Sequence, residues 1–169
     1  MVRNETSLTI RQIGVDDAGA LREIRLESLH AHPVAFSADP AIDAARPLSE
    51  WQERIRANPI FMAWDGETAA GMTGFYRNPS YKTQHHGVIW GVYVRPAYRG
   101  LGLGGRLVTA AVDWARENGL KMAYIAAAAG NTAAIRCYAR CGFSAYGLQP
   151  MAIYHDGVYH DELLMAQAL

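Results

Sequence analysis

The sequence predicts an α+β fold, a mixed sheet of about seven strands with about four helices shared between its two faces. Three observations carry that expectation. Short apolar runs and stretches of helical spacing follow one another in the order βααββ–βαβα–ββ. Asp65-Gly66 and Asp156-Gly157 each stand between apolar runs, where Asp-Gly favours a tight antiparallel hairpin. A central stretch, Val88 to Asn118, reads as a buried strand, a glycine-rich turn and a helix.

Leu8 to Ile13 alternates and forms the first strand. Asp16 or Asp17 caps a helix that runs to about His30, with Leu21, Ile24 and Ser28 on one face. The segment Ala31 to Pro47 loses periodicity, contains three prolines and reads as a loop. Ser49 and Gln52 have the spacing of a capping box and open a short helix in which Trp51 and Ile55 share a face. It ends by Asn58-Pro59. Ile60 to Trp64 and Ala69 to Tyr76 form a hairpin, Asn78-Pro79-Ser80 interrupts, and the central strand begins near His86.

Pro96 ends that strand, since it has no N–H to donate. Leu103, Leu107, Ala110, Ala111 and Trp114 then recur at helical spacing. Ala123 to Ala127 is a further strand, and Asn131 to Cys141 a helix closed by Gly142. The remainder reads as two long strands joined at His155-Asp156-Gly157. With no repeat and no linker-like segment, residues 1–169 are expected to form a single domain.

Composition narrows the function classes. Of 169 residues 50% are hydrophobic, and the formal net charge is zero. Such a chain has no global field to gather nucleic acid or an anionic membrane surface. The first residues show no signal-peptide pattern, and no apolar run is long enough to span a bilayer. Two cysteines, Cys137 and Cys141, are too few for a disulfide framework and read as reduced thiols. A cytoplasmic location is the expectation.

Within the central stretch Gly100, Gly102, Gly104 and Gly105 lie between Arg99 and Arg106. A glycine-rich turn entering a helix converges backbone N–H groups on one point, which suits a phosphate. Gly100, Gly102 and Gly105 satisfy the dinucleotide pattern G-x-G-x-x-G, but the following strand ends in alanines with no carboxylate to hold a ribose. No Gly-Lys-Ser/Thr follows, so the ATP-type loop fails as well.

Arg99-x-x-Gly102-x-Gly104, preceded by Val92-Tyr93-Val94-Arg95-Pro96, resembles the acetyl-CoA signature of the GCN5-related N-acetyltransferase (GNAT) superfamily. Asn131, Ala134, Tyr138, Gly142 and Phe143 are similar to that family's second motif, in the right order and at about the right distance. The resemblance covers the C-terminal half closely and the N-terminal half in element order. It implies a three-layer α/β/α arrangement whose mixed, mostly antiparallel sheet has a splayed central pair. It also implies an enzyme that moves an acetyl group from acetyl-CoA to the primary amine of a small molecule or peptide, by direct attack in a ternary complex. A non-catalytic acyl-CoA sensor and an acyltransferase with another donor, such as succinyl-CoA served by Arg77, are the alternatives.

On that resemblance the backbone of Arg99, Gly100, Leu101, Gly102, Leu103, Gly104 and Gly105 holds the pyrophosphate. The edge of Val92, Tyr93 and Val94 receives the pantetheine arm. Asn131 caps its helix and touches the cofactor. Tyr138 is the catalytic residue, donating a proton to the departing thiolate. An attacking amine must first lose its own proton, since a free alkyl amine ionises near pH 10. Relatives carry a glutamate on the central strand for this, and Val88 to Val94 has none. His85, His86, Glu67, Tyr76 and a chain of waters stand as candidate bases.

Phe36 and Trp51 are candidates to line an acceptor pocket, which segments 31–47 and 77–86 and the last hairpin would shape. His155 and His160 lack a third ligand at metal spacing and read as hairpin polar residues, so no metal is expected. Asp156, Asp161 and Glu162 read as solvated turn charge. The apolar C-terminal strands are compatible with a homodimer.

Overall fold

The computed structural model describes residues 8–169. Residues 1–7, the first half of the N-terminal stretch that shows no signal-peptide pattern, lie outside the described residues. Seven strands form one sheet: β1 Leu8–Gln12, β2 Ile60–Asp65, β3 Thr68–Arg77, β4 His86–Val94, β5 Met122–Ala128, β6 Ser144–His155 and β7 Val158–Ala168. Their spatial order is β1-β2-β3-β4-β5-β7-β6, and every neighbouring pair is antiparallel except β4 with β5. The helices are α1 Ala18–Ala31, α2 Pro40–Ala45, α3 Leu48–Ala57, α4 Leu103–Glu117 and α5 Thr132–Arg140.

Each face of the sheet carries its own core. On one, Leu21 and Ile24 of α1 and Trp51 and Ile55 of α3 pack against Ile60, Met62, Met72 and Tyr93. On the other, Leu103, Leu107, Ala111 and Ala115 of α4, with Tyr138 of α5, pack against Phe61, Phe75, Ile89 and Ile125. This is the expected three-layer arrangement, and burial on both faces explains why β2 and β3 read as continuous apolar runs.

Three local readings change. Residues 31–47 are not all loop: Asp39 accepts from the Ala41 N–H and Pro40 takes the first turn of α2, so a proline that looked like a breaker is a helix start. That adds a fifth helix to the expected four. The Ser49–Gln52 capping box is absent because α3 begins at Leu48, with Pro47 at its N-cap. Asp17 caps α1 only by position; its carboxylate instead accepts from the Gly14 N–H and pairs with Arg11 at 2.8 Å.

The hairpin at Asp156-Gly157 turns with both residues at positive φ, 47° and 82°, the backbone that Asp-Gly favours. Gly142 closes α5 at φ 97°, and the Phe143 N–H reaches the Tyr138 carbonyl.

The feature that creates the site is a failure of pairing. β4 and β5 are hydrogen-bonded only where His86, Gly87 and Val88 face Met122, Ala123 and Tyr124. Beyond Val88 the parallel strands diverge. On its other side β4 carries a bulge, because Met72 faces Tyr93 while Gly74 faces Trp90. The extra residue bends the strand away from β5, and Gly91 absorbs the kink at φ 66°.

Candidate active site

The divergence of β4 from β5 opens a cleft of about 960 Å³. One wall is Val92, Tyr93 and Val94, and the other is Ala126, Ala127 and Ala128, whose small side chains leave the gap wide. Each strand segment is paired on its far side, to β3 or β7, so their facing edges are open.

At the C-terminal end of β4 the chain passes through a short 3-10 turn, Pro96–Tyr98, into the glycine turn and α4. The N–H groups of residues 100 to 105 have no acceptor among the described residues; the first bond of the helix is Arg106 N–H to the Gly102 carbonyl at 3.1 Å. A row of open donors at a helix N-terminus is an anion site. Gly100 and Gly102 stand at φ 81° and 69°, and a Cβ at either would meet nothing within 4 Å. Glycine is therefore required here by backbone conformation rather than by crowding.

Arg99 departs from the expectation that its backbone joins this row. Its N–H bonds the Pro96 carbonyl, and its guanidinium donates to the Val94 carbonyl and to His32 Nε2 at 2.9 Å. It thus ties the end of β4 to the end of α1. Tyr93 does the same, donating to Glu27 Oε1 at 2.8 Å. Burial and this hydrogen bond push the Tyr93 phenol up to about 12.

Tyr138 is buried and lines the cleft. Burial first, and the neighbouring Cys137 and Cys141 second, hold its ionisation well above the ordinary tyrosine value. It is a neutral O–H donor at physiological pH. Asn131, also on the lining, caps α5 by accepting from the Ala134 N–H at 3.1 Å. The cleft therefore brings Val92, Tyr93, Val94, Arg99, Gly104, Asn131 and Tyr138 together, with the rest of the glycine turn at its end.

The candidate bases are not among its lining. His85 and His86 sit where β4 begins, about 20 Å from Val92 at ordinary strand rise. Tyr76 faces Val88 at that same remote end, and Glu67 lies in the turn between β2 and β3. Arg77 donates to the Gln84 carbonyl there too, and residues 77–86 contribute nothing to the lining. Trp51 is core, only 1% exposed, whereas Phe36 does line the cleft.

Sequence reasoning missed His32 and passed over His160 and Asp161, all on the lining. Their only signal was membership of segments 31–47 and the last hairpin, expected to border the acceptor. Cys137 and Cys141 are free thiols, as anticipated. Among the described residues no cluster of metal ligands occurs, and no helix is long and apolar enough to cross a membrane.

Residues 21–143 match the acetyltransferase (GNAT) family. The chain is 32% identical to the L-methionine sulfoximine/L-methionine sulfone acetyltransferase of Pseudomonas paraeruginosa, over 94% of this chain and 93% of that one. Among solved structures it is similar to an acetyltransferase of GNAT family from Streptococcus pneumoniae, with TM-score 0.85, 21% identity, and coverage of 96% and 99% of the two chains. It is also similar to yncA of Salmonella typhimurium, solved with its cofactor acetyl-CoA, with TM-score 0.81, 24% identity, and coverage of 96% and 94%.

Proposed function

The chain belongs to the acetyltransferase (GNAT) family, and we propose that it acetylates the α-amine of a small amino acid by direct attack in a ternary complex. The acetyl donor is acetyl-CoA, which supplies an activated thioester. The observation that carries this reading is the splayed β4/β5 cleft, with open N–H donors at its glycine end and Tyr138 facing its interior.

The residues present fit such a donor. Backbone N–H groups from Gly100 to Gly105 suit a pyrophosphate, and the open edge of Val92 to Val94 suits an extended amide-bearing arm. Asn131 holds the start of α5 at the cleft and so positions Tyr138. The Tyr138 hydroxyl, kept protonated by burial, donates to the departing thiolate. Backbone N–H groups beside the Gly91 bulge stabilise the oxyanion formed on attack.

An amino acid acceptor is supported by the named substrate of the Pseudomonas paraeruginosa relative. Residues 1–169 act as one unit, and zero net charge argues against a polyanionic partner. Free thiols fit a cytoplasmic location. A homodimer through the edge strand β6 is supported by exposed Tyr146, Leu148, Met151 and Tyr154.

Thiol release from acetyl-CoA across amino acids, polyamines, aminoglycosides and short peptides tests the reading. Release confined to free amino acids is the expected result. Turnover with peptides or polyamines alone would replace the acceptor class, and acetyl-CoA binding without turnover would return the sensor alternative.

A further inference from the structure

An acceptor amine is protonated at neutral pH and must lose a proton before it attacks. β4 carries no carboxylate, and His85, His86, Tyr76 and Glu67 stand away from the cleft. The groups left to take that proton are those of the lining itself.

The two faces of the sheet meet at the cleft. Tyr138 belongs to the core under α4 and α5, and so do Leu163 and Met165 of β7. Side chains alternate along a strand, so His160 projects to the opposite face, toward α1. Its cross-strand partner agrees. Ile153 stands opposite His160 in the register, and with Leu29 of α1 and Phe36 it lines a cavity of about 360 Å³ beside the cleft. Pro33 and Phe36 line both spaces, and His160 lines the cleft. The Ala129 N–H donates to the Asp161 carbonyl at 2.8 Å, which fixes this part of β7 against the end of the β5 wall.

We infer that His160 is the general base, receiving the proton of the acceptor ammonium on the α1 face while Tyr138 serves the thiolate from the other. This rests on the acetyltransferase function and supplies the base that it requires, whichever amine is the acceptor. The other lining groups are committed elsewhere. His32 Nε2 already accepts from the Arg99 guanidinium at 2.9 Å, so its lone pair is in use. Asp161 alternates to the Tyr138 face and accepts from the Met151 N–H at 2.8 Å. Tyr93 is bonded to Glu27, and burial pushes the Cys137 thiol up. The His160 ring has no hydrogen-bond partner among the described residues. Glu162 shares its face but does not reach the lining. His160 takes one proton from the ammonium, directly or through one water, and frees the nitrogen lone pair. The N–C bond forms and the C–S bond breaks; Tyr138 gives its proton to sulfur and regains one from nitrogen. His160 then releases its proton to solvent, leaving amide, CoA thiol and one proton.

The test is steady-state thiol release from acetyl-CoA with L-methionine sulfone, run on His160→Ala and His160→Gln with and without imidazole in the buffer. In both variants kcat/KM for the acceptor should fall about a hundredfold. Calorimetric titration should give an unchanged affinity for CoA, which reports an intact fold. Imidazole should raise the His160→Ala rate at least about tenfold, because it refills both the space and the proton acceptor. It should not speed the wild type or Tyr138→Phe, and a merely structural side chain would show no such rescue. A His160→Ala rate within about threefold of wild type, or a loss that imidazole leaves unchanged, overturns the inference. A wild type silent with L-methionine sulfone would sink the amino acid acceptor and not the base, and the same comparison with spermidine or diglycine then decides it. Silence with all three, CoA still binding, overturns both.

Discussion

The hydroxyl of Tyr93 donates to the carboxylate of Glu27 across 2.8 Å, joining the end of β4 to the middle of α1. Arg95 reinforces the joint, bonding Glu27 Oε2 at 2.8 Å and Glu23 Oε1 at 2.6 Å. One wall of the cleft is thus fastened to α1, which ends just before His32 of the lining. Because the phenol is pushed up to about 12 in the folded chain, from an ordinary value of 10.0, its contribution to stability is complete below pH 10 and is lost as pH rises toward 12. Tyr93→Phe should cost about 1 kcal/mol near neutrality and flatten the alkaline loss of stability. Denaturant unfolding at pH 7, 10 and 11.5 checks both effects.

The glycine turn gives a prediction about backbone alone. At Gly102, with φ 69° and open space around a would-be Cβ, alanine is strained rather than crowded. Gly102→Ala should cost about 1 kcal/mol in that conformation. The turn can relax only by turning its N–H groups away, so acetyl-CoA affinity should fall about tenfold, with little change in melting temperature. Calorimetric titration of acetyl-CoA against circular-dichroism melting separates the two.

Tyr138→Phe removes a donor and keeps the packing of α5. Turnover should fall about a hundredfold, while the KM for acetyl-CoA stays within about twofold. Since burial holds this phenol protonated through the assay range, the wild-type rate should rise toward alkaline pH as the acceptor amine deprotonates. Its deprotonation produces no decline near pH 10. A pH–rate profile to pH 10.5 reads this.

Much of the donor side was legible because its requirement is written in residue identity. A turn that needs positive φ at two positions shows itself as Gly100 and Gly102, and Asn131 advertises a helix cap on any reading. The splay of β4 from β5 leaves no such mark: Gly91 in an apolar run does not announce a bulge. The rest of the cleft lining is assembled from distant segments, so His32 and His160 look ordinary until the end of α1, β4 and β7 meet. His85 and His86 misled because proximity in sequence to a strand says nothing of which end of that strand matters. Trp51 and Phe36 looked alike, and only packing separates a core residue from a wall.

A further expectation follows from those misplaced candidates. His85→Ala, His86→Ala and Arg77→Ala should each leave kcat and KM within about twofold of wild type, because all three lie at the remote end of the sheet. Steady-state assays of the three variants check it.

The most direct test of the central claim is the initial-rate pattern of thiol release with acetyl-CoA and an amino acid varied together. Direct attack in a ternary complex predicts double-reciprocal lines that intersect, with no acetyl group retained on the protein when acetyl-CoA is given alone. Parallel lines, with acetyl label held on the protein at Cys137 of the cleft lining, would contradict it.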